Sequence, residues 1–326
     1  MLRVYQEKTL NTPDVALQLP TGSGKTLVGL LIGEWRRRRF QEKVVYLCPT
    51  NQVVEQATKK YGIKALAFTG KASAYHPTSK AEYQNAETLA ITTYNALFNT
   101  RPFFENPQLI IFDDAHASEN YIASHWSLSV SKADFPRVFE ALVVLLQPVL
   151  SRVDYQKLTN PTRELWDTEW VEKIPTSSLF PLISELTAVL DQQTANEQAL
   201  KFTWSVLREN LFACHVYLST TSILIRPTIP PTLTHSPFAK AKQRIYMSAT
   251  LGAGGDLERL TGVEKIERLP IPLGWDKQGI GRRLFFFPES SLSGPDSITL
   301  ACNMIKTTRR SLILVTSTTV VSNPAV

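Results

Sequence analysis

Short apolar runs alternate with helical patterns over the first third of the chain. Strands are predicted at residues 15–19, 43–48, 64–68, 88–92 and 108–112. Apolar residues at helical spacing follow the first run from Lys25 to about Arg38, and another helix is predicted from Gln52. Strands that alternate with helices are typical of a parallel sheet covered by helices on both faces. Such sheets bind ligands at the carboxyl ends of their strands.

The pattern changes near residue 118, after which the chain reads as mostly helical up to residue 210. The longest amphipathic runs are 137–150, 178–190 and 197–211. Strands are then predicted at 222–225 and 244–247, and we expect the second of them to return to the first sheet. The helical block is therefore predicted to be an insertion in the α/β domain.

This pattern predicts an α/β fold in four segments. The segments are 1–117, the first part of a nucleotide-binding domain; 118–240, a mainly helical insertion; 241–280, the return to the first domain; and 281–326, the start of a second α/β domain. A short helix is predicted at 255–262, and strand-like runs lie at 283–287 and 311–315. Because the chain ends at Val326, we expect the second domain to be truncated.

Composition adds few constraints on function. The net charge of +6 is compatible with a polyanionic partner but does not require one. Three widely spaced cysteines, Cys48, Cys214 and Cys302, are too few for a four-cysteine cluster and are predicted to be buried thiols. The start of the chain is too polar for a signal peptide, and the most apolar run, 139–150, is too short to span a bilayer. We therefore expect a cytoplasmic protein without membrane association.

The segment Pro20-Thr-Gly-Ser-Gly-Lys-Thr26 joins the first predicted strand directly to a helix. Strand, glycine-rich loop and helix in this order indicate a P-loop, in which backbone amides surround a phosphate. Lys25 would reach the β- and γ-phosphates, and the Thr26 hydroxyl would bind Mg²⁺. The predicted nucleotide-binding residues of the loop are Thr21, Gly22, Ser23, Gly24, Lys25 and Thr26. An ordinary glycine-rich turn is the alternative, but the flanking strand and helix argue against it.

A second candidate lies at 109–116, where an apolar strand ends in two carboxylates. Asp113 would hold Mg²⁺ beside Thr26, and Asp114 would orient the attacking water. A strand that ends in a polar turn is common by itself. The P-loop upstream in the same predicted sheet favours the catalytic interpretation.

Three motifs in this order resemble motifs I, II and III of the superfamily 2 DEAD/DEAH-box helicases. They are Thr21-Gly-Ser-Gly-Lys-Thr26, Asp113-Asp-Ala-His116 and Ser248-Ala-Thr-Leu251. Arg3-Val-Tyr-Gln6 is similar to the Q motif, in which the glutamine, here Gln6, reads adenine. The resemblance implies a RecA-like P-loop NTPase fold that binds ATP and Mg²⁺, and a catalytic set of Lys25, Asp113, Asp114 and His116.

The resemblance also assigns coupling and nucleic-acid contacts. His116 and the residues Ser248, Ala249 and Thr250 would couple the nucleotide state to domain motion. The segment that follows the second strand looks like motif Ia. By motif position, the predicted contacts to a nucleic-acid backbone are Pro49, Thr50, Thr69, Gly70 and Thr92.

The insertion and the Ser-Ala-Thr-Leu form of motif III are similar to XPD/DinG-like helicases, which use ATP to move along single-stranded DNA. The resemblance implies a single-stranded nucleic-acid partner and favours DNA. This chain departs from the group in three respects. It has only Cys48 between motifs I and II, so no iron–sulfur cluster is predicted. Asp114 stands where the family has glutamate, and motifs V and VI are absent, so we expect weak or no hydrolysis by the fragment.

A nucleotide-gated remodelling module of a larger assembly and a catalytically degenerate fragment remain open alternatives. The basic run 36–39 is interpreted as a solvated helix end, because cations favour the carboxyl end of a helix. The histidines without metal-binding spacing are interpreted as incidental: His76, His125, His215 and His235.

Overall fold

The computed structural model describes residues 2–20, 22–51, 54, 63–160, 170–195, 197–270, 287 and 290–307. The strands are β1 (Asp14–Gln18), β2 (Val44–Cys48), β3 (Ala65–Phe68), β4 (Leu89–Thr93), β5 (Leu109–Asp113), β6 (Leu128–Ser131), β7 (Val171–Lys173), β8 (Cys214–Ser219), β9 (Ser222–Pro227), β10 (Gln243–Ser248) and β11 (Glu267–Leu269). The helices are α1 (Leu2–Lys8), α2 (Lys25–Phe40), α3 (Pro77–Gln84), α4 (Tyr94–Leu97), α5 (Ser118–Ser124), α6 (Pro136–Leu146), α7 (Arg152–Thr159), α8 (Thr176–Leu179), α9 (Ile183–Thr194), α10 (Gln198–Leu207), α11 (Ser236–Ala239), α12 (Asp256–Thr261) and α13 (Gly294–Thr307).

Seven parallel strands form the main sheet in the order β11-β1-β10-β5-β2-β4-β3. The predicted α/β fold with a RecA-like parallel sheet is confirmed, and β10 does return to the sheet, between β1 and β5. Its register sets Met247 beside Leu17 on one side and beside Asp113 on the other. The short strand β11 was missed, because its three residues include the charged pair Glu267 and Arg268 and give no apolar run.

The two faces of the main sheet pack into separate cores. Val44, Ile111 and Met247 belong to the face covered by α2. Phe112 and Tyr246 belong to the other face, where aromatic rings dominate. Burial of both faces explains the nearly continuous Val, Ile and Leu runs that made these strands recognisable from sequence.

The segment between β5 and β10 contains a second sheet that the sequence analysis missed. It is antiparallel, in the order β6-β9-β8-β7, and only β9 was predicted, as a strand at 222–225. Helices α6, α9 and α10 share its core, so the predicted helical runs are present but shorter than expected. The missed strands have three, four and six residues and border helical patterns, which hid their alternation.

The basic run at the end of α2 is only half solvated. Arg36 is 5% exposed, and its guanidinium donates to both carboxylate oxygens of Glu42, at 2.5 and 3.0 Å. Arg37 and Arg38 both donate to Glu34, at 2.6 to 2.9 Å. The interpretation as a solvated helix end is therefore wrong for Arg36 and Arg37, because acidic partners that the run itself does not contain draw them inward.

A second buried ion pair ties the start of β1 to the start of β10. Arg244 donates to both carboxylate oxygens of Asp14, at 2.6 and 2.7 Å, and the Tyr246 hydroxyl donates to the same carboxylate at 2.9 Å. Asp14 and Arg244 are 7% and 6% exposed. This network fixes the register in which β10 joins the sheet.

The chain divides into two compact units, Met1–Gln278 and Gly279–Val326. Helix α13 lies in the second unit, and its Cys302 is exposed, so the prediction of a buried thiol is wrong there. Cys48 and Cys214 are buried as predicted. The run at 311–315, the run at 283–287 except for Phe287, and most of the helix predicted from Gln52 lie outside the described residues. Within the described ranges, none of the helices has the length and apolarity needed to cross a membrane.

Candidate nucleotide site

The loop after β1 turns through two glycines in the left-handed region, Gly22 at φ 82° and Gly24 at φ 80°. Between them, the Ser23 amide and hydroxyl both donate to the Pro20 carbonyl, at 3.1 and 2.6 Å. A Cβ placed on either glycine would meet no heavy atom within 4 Å, so the backbone is open to an approaching ligand. The predicted residue Thr21 lies outside the described residues.

Helix α2 begins at Lys25 directly after this loop and runs for 16 residues. The amide of Val28 makes the first helical hydrogen bond, to the Gly24 carbonyl at 3.0 Å. The amides before Val28 have no partner within the helix and carry the positive end of its dipole. The loop and the helix start together form the geometry in which proteins bind phosphate.

The residues at the start of α2 face the two carboxylates at the end of β5. The Thr26 hydroxyl donates to Asp113 Oδ2 at 3.4 Å, and Lys25 Nζ lies 3.8 Å from Asp114 Oδ1. Asp113 is 4% exposed, whereas the Asp114 side chain is 45% exposed. The parallel sheet brings these segments together across β10, although 87 positions separate Thr26 from Asp113.

Burial raises the pKa of Asp113 above its ordinary value, and the neighbouring Asp114 charge adds to the rise. The nearby Tyr46 hydroxyl and Lys25 ammonium oppose this shift. A buried carboxylate beside a threonine hydroxyl is a set of hard oxygen ligands that suits Mg²⁺, whose charge would favour ionisation of Asp113. The residues present therefore fit a magnesium ion.

Asp114 adopts a left-handed conformation, with φ 50° and ψ 52°. Its amide donates to Asp113 Oδ1 at 3.1 Å, and the Tyr94 hydroxyl donates to the Asp113 carbonyl at 2.6 Å. Aspartate tolerates this backbone conformation better than most residues do. The turn ends the strand sharply and leaves the Asp114 side chain beside Lys25, at the surface of the site.

The end of β10 lies between the end of β5, which carries the two aspartates, and the end of β1, which leads into the phosphate loop. Ser248 is fully buried, and its hydroxyl lies 2.6 Å from His116 Nδ1 and accepts the Thr250 amide at 3.2 Å. Its carbonyl accepts the Leu19 amide at 2.9 Å. In a neighbouring contact, Gln18 Nε2 donates to the Ala249 carbonyl at 3.4 Å. The structure thus brings the predicted coupling residues together with both halves of the site.

Sequence reasoning missed two polar side chains behind Asp113. Tyr46 and Cys48 are fully buried in β2, on the α2 side of the sheet. Burial raises the pKa of each well above its ordinary value, and the Asp113 charge adds to both shifts. The available signal was a tyrosine in the otherwise apolar strand predicted at 43–48, to which the sequence analysis gave no role.

Gln6 lies half-buried in α1. Its neighbour Tyr5 packs edge-on against Trp35, and the Tyr5 hydroxyl donates to the Gln243 side chain. Both contacts lie towards the amino edge of the main sheet, opposite the phosphate loop. The adenine contact of Gln6 stays a prediction.

The predicted nucleic-acid residues differ in accessibility. Thr50, Thr69 and Gly70 are exposed, and Pro49 is partly exposed. Thr92 is fully buried and its hydroxyl donates to the Phe68 carbonyl at 2.6 Å, so its prediction as a nucleic-acid contact is wrong. Thr92 was assigned by motif position alone, and in the structure it is the penultimate residue of β4.

A surface cavity of about 390 Å³ lies beside Gly70, at the carboxyl ends of β2 and β4. Its lining includes Asn51, Lys71, Asn95 and Arg101. Two cations and two amides are groups that bind phosphate and sugar oxygens. Their dispersal over 50 positions explains why no local motif revealed them.

Among the described residues, no group of three or more histidine, cysteine, aspartate or glutamate side chains is placed to hold a metal ion. The absence of an iron–sulfur cluster stays a prediction. His125 and His235 pack against the rings of Phe98 and Trp126. Burial lowers the pKa of both imidazoles below their ordinary value, to about 4 for His125.

Residues 3–136 match the family model described as type III restriction enzyme, res subunit. No curated protein matches the chain significantly. Solved structures similar to the chain include an XPD helicase, at 17% identity and a TM-score of 0.46, with 85% of this chain and 62% of that chain covered. The S. tokodaii Xpd4 structure is 14% identical with a TM-score of 0.43, over 83% of this chain and 59% of that one. The chain thus spans about three fifths of the length of these solved structures.

Proposed function

We propose that this chain, whose residues 3–136 carry a helicase-family domain, supplies the ATP-binding half of a nucleic-acid helicase or translocase motor. The observation that carries the proposal is the meeting of two distant segments. Lys25 and Thr26, at the start of α2, face Asp113 and Asp114 at the end of β5. A phosphate loop and a carboxylate pair at one edge of a parallel sheet are what a phosphoryl-transfer motor requires.

Each site residue has a separate role in phosphoryl transfer. Lys25 exchanges its contact with Asp114 for the β- and γ-phosphates, while the loop amides hold the same phosphates. Thr26 and Asp113 hold Mg²⁺, which neutralises charge on the transferring phosphoryl group when it is bound. Asp114, exposed beside the phosphate position, orients the attacking water.

The contact between His116 and Ser248 suits a coupling role. Ser248 ends the strand that lies between β1 and β5, so a movement of either strand end reaches its hydroxyl and its carbonyl. Ala249 and Thr250 continue from it towards the surface. A change at the γ-phosphate would move Asp114 and His116 and so alter the segment after β10.

A single-stranded nucleic acid would lie along the carboxyl ends of β2 and β4. Thr50, Thr69 and Gly70 are exposed there, and Lys71 and Arg101 line the adjoining cavity. Such contacts to phosphate and sugar position a strand without reading its sequence. The preference for DNA rests on analogy with XPD/DinG-like helicases.

The chain is expected to bind ATP better than it hydrolyses it. The Asp114 side chain is one methylene shorter than the glutamate of the helicase family. A water held at the wrong distance lowers the rate steeply.

The proposal is tested by the affinity for a non-hydrolysable ATP analogue in the presence of Mg²⁺. The unmodified chain and the control Lys201→Ala, exposed on α10, should bind the analogue at micromolar concentrations. Lys25→Ala should bind about 10–100-fold more weakly, because it loses a charge-assisted contact worth about 1.5–3 kcal/mol. Absence of binding by a folded, unmodified chain would contradict the proposal.

The nucleic-acid surface has a separate test. Replacing Lys71 and Arg101 together by alanine should weaken binding of a single-stranded oligonucleotide. The slope of log K against log salt should become shallower by about 1.4, or 0.7 for each lost phosphate contact. Lys201→Ala is again the control, and an unchanged slope in the double variant would exclude this surface.

Asp114 favours one alternative, a nucleotide-gated module with little turnover. Asp114→Glu restores the length of the side chain that the helicase family uses. If the chain is a motor limited by this residue, the substitution should raise ATP turnover stimulated by single-stranded DNA. Turnover that stays undetectable, with analogue binding intact, would favour the binding module.

A further inference from the structure

The Tyr46 hydroxyl is an unpaired polar group in the core beneath the candidate site. Tyr46 is fully buried, and its hydroxyl has no hydrogen-bond partner of normal geometry among the described residues. The polar side chains that face it are Asp113 and Thr26. Because buried polar groups in proteins are nearly always hydrogen-bonded, each exception calls for an explanation.

The strand register places this hydroxyl on the same side of the sheet as the Asp113 carboxylate. Tyr46 in β2 pairs with Ile111 in β5, two positions before Asp113, so Tyr46 and Asp113 lie on the same face of the sheet. That face is covered by α2, and Gly29 leaves room for the tyrosine ring. A Cβ on Gly29 would lie 2.8 Å from Tyr46 Cε2 and 2.4 Å from Met247 Cε.

The Asp113 carboxylate can accept a further hydrogen bond on this side. One carboxylate oxygen accepts the Asp114 amide at 3.1 Å, and the other accepts a long bond of 3.4 Å from the Thr26 hydroxyl. A carboxylate that ligates a metal is normally oriented by further hydrogen bonds. Tyr46 is the donor next to it.

We infer that Tyr46 is a positioning residue of the magnesium site, whose hydroxyl donates to the Asp113 carboxylate when Mg²⁺ and nucleotide bind. The inference rests on the proposed function, because it assigns Mg²⁺ to Asp113. It also gives the hydroxyl a role at a position that phenylalanine would fill equally well. Without the metal, the hydroxyl faces Asp113 but makes no hydrogen bond of normal geometry, and that bond forms when the metal binds.

The test compares Tyr46→Phe with Tyr83→Phe. Tyr83 is a matched control, because its hydroxyl is also buried without a partner among the described residues, and its ring packs on Phe68 of the edge strand β3. Two quantities are measured for each variant. They are the Tm without Mg²⁺ or nucleotide, and the Mg²⁺ concentration that gives half-maximal binding of the ATP analogue.

Both variants should keep or raise the Tm, by about 2–4 °C if the full cost of an unpaired hydroxyl is recovered. Only Tyr46→Phe should need more Mg²⁺, by about 10–100-fold, which is the usual cost of losing a group that orients a metal ligand. A rise in Tm with loss of metal affinity separates positioning from packing, since a packing defect would lower both.

The remaining outcomes overturn the inference in distinguishable ways. If the unmodified chain binds the analogue with Mg²⁺ and Tyr46→Phe needs the same Mg²⁺ concentration, Tyr46 only fills the core and the proposed function stands. If Tyr83→Phe shifts the Mg²⁺ requirement equally, the effect does not come from the site. If the folded, unmodified chain binds no Mg²⁺–nucleotide, both the inference and the proposed function fail.

Discussion

The two edges of the main sheet are organised in opposite ways. At the amino edge, Arg36 pairs with Glu42 and Arg244 pairs with Asp14, and all four side chains are buried with their charges matched. At the carboxyl edge, the Asp113 carboxylate is buried with a raised pKa, and Lys25 lies 3.8 Å from its nearest carboxylate oxygen.

Left-handed backbone outside glycine occurs at both edges, because Gln41 and Ala86 adopt it shortly before β2 and β4, at the amino edge. Asp114 holds a left-handed conformation at the carboxyl edge, and the Tyr46 hydroxyl beneath it makes no hydrogen bond of normal geometry among the described residues. What distinguishes the carboxyl edge is a buried carboxylate with a raised pKa beside such a hydroxyl. Violations of local rules are expected at sites that a ligand completes. We therefore propose that the amino edge stabilises the fold and that the carboxyl edge serves binding.

The largest expected effect is on stability, at the amino edge. Glu42→Gln leaves the Arg36 guanidinium buried without a counter-charge, which should lower the free energy of unfolding by about 3–5 kcal/mol. Urea denaturation measures this loss. Asp191→Asn, in the exposed pair with Arg208, is the control and should cost far less. Equal losses in the two variants would show that burial of the amino-edge pair adds nothing.

Gly29→Ala should have an intermediate effect, because α2 spans the two edges. The new Cβ would lie 2.4 Å from Met247 Cε, and overpacking of this kind costs about 1–3 kcal/mol, partly offset by the better helix propensity of alanine. Gly33→Ala is the matched control, since its Cβ would lie 3.1 Å from the nearest atom, Val44 Cγ1. Thermal melts should show a clear loss for Gly29→Ala and a change near zero for Gly33→Ala. The reverse ranking would contradict the packing described for Tyr46 and Met247.

The smallest expected effects concern pH and have opposite signs at the two ends of α2. Burial raises the pKa of Asp113, so its contribution to stability is complete below the unfolded pKa and is lost as pH rises through the folded pKa. Burial alone would raise the pKa of Glu34, but hydrogen bonds from Arg37 and Arg38 outweigh it and lower that pKa. The contribution of Glu34 is therefore present above its unfolded pKa and is lost as pH falls.

Unfolding free energies of Asp113→Asn and Glu34→Gln at pH 4 and pH 7 measure the two effects. For Asp113→Asn, the free energy of unfolding minus that of the unmodified chain should be larger at pH 7 than at pH 4. For Glu34→Gln, the same difference should be smaller at pH 7 than at pH 4. The same sign in both variants would mean that the two ends of α2 do not differ electrostatically.

Features that depend on neighbouring residues in the sequence could be predicted, whereas features that depend on distant residues could not. The P-loop and the Asp113-Asp-Ala-His116 motif are local patterns with their own strand and helix, so spacing revealed them. The Tyr5 contact with Gln243 joins residues 238 positions apart, and no local pattern reports such a pair. Arg36 was misjudged for the same reason, because its burial depends on Glu42 and on a helix at the start of the chain.

The insertion shows a second limit. Its helices α6 and α9 have strong apolar periodicity and were predicted, whereas the short strands β6 and β7 gain their stability from neighbours in the antiparallel sheet. Tyr46 shows a third limit. A tyrosine in a buried strand is ordinary core, and only the register of β2 against β5 turns its hydroxyl into a possible part of the site.

The division between the two edges is tested most directly by one pair of variants, Asp14→Asn and Asp113→Asn. For each, the free energy of unfolding and the affinity for the ATP analogue with Mg²⁺ are measured on the same preparation. Asp14→Asn should lose about 3–5 kcal/mol of stability and keep its affinity, because it breaks a buried ion pair far from the phosphate loop. Asp113→Asn should keep or gain stability and lose Mg²⁺-dependent binding. If Asp14→Asn weakens binding as much, or Asp113→Asn binds normally, the assignment of binding to the carboxyl edge is wrong.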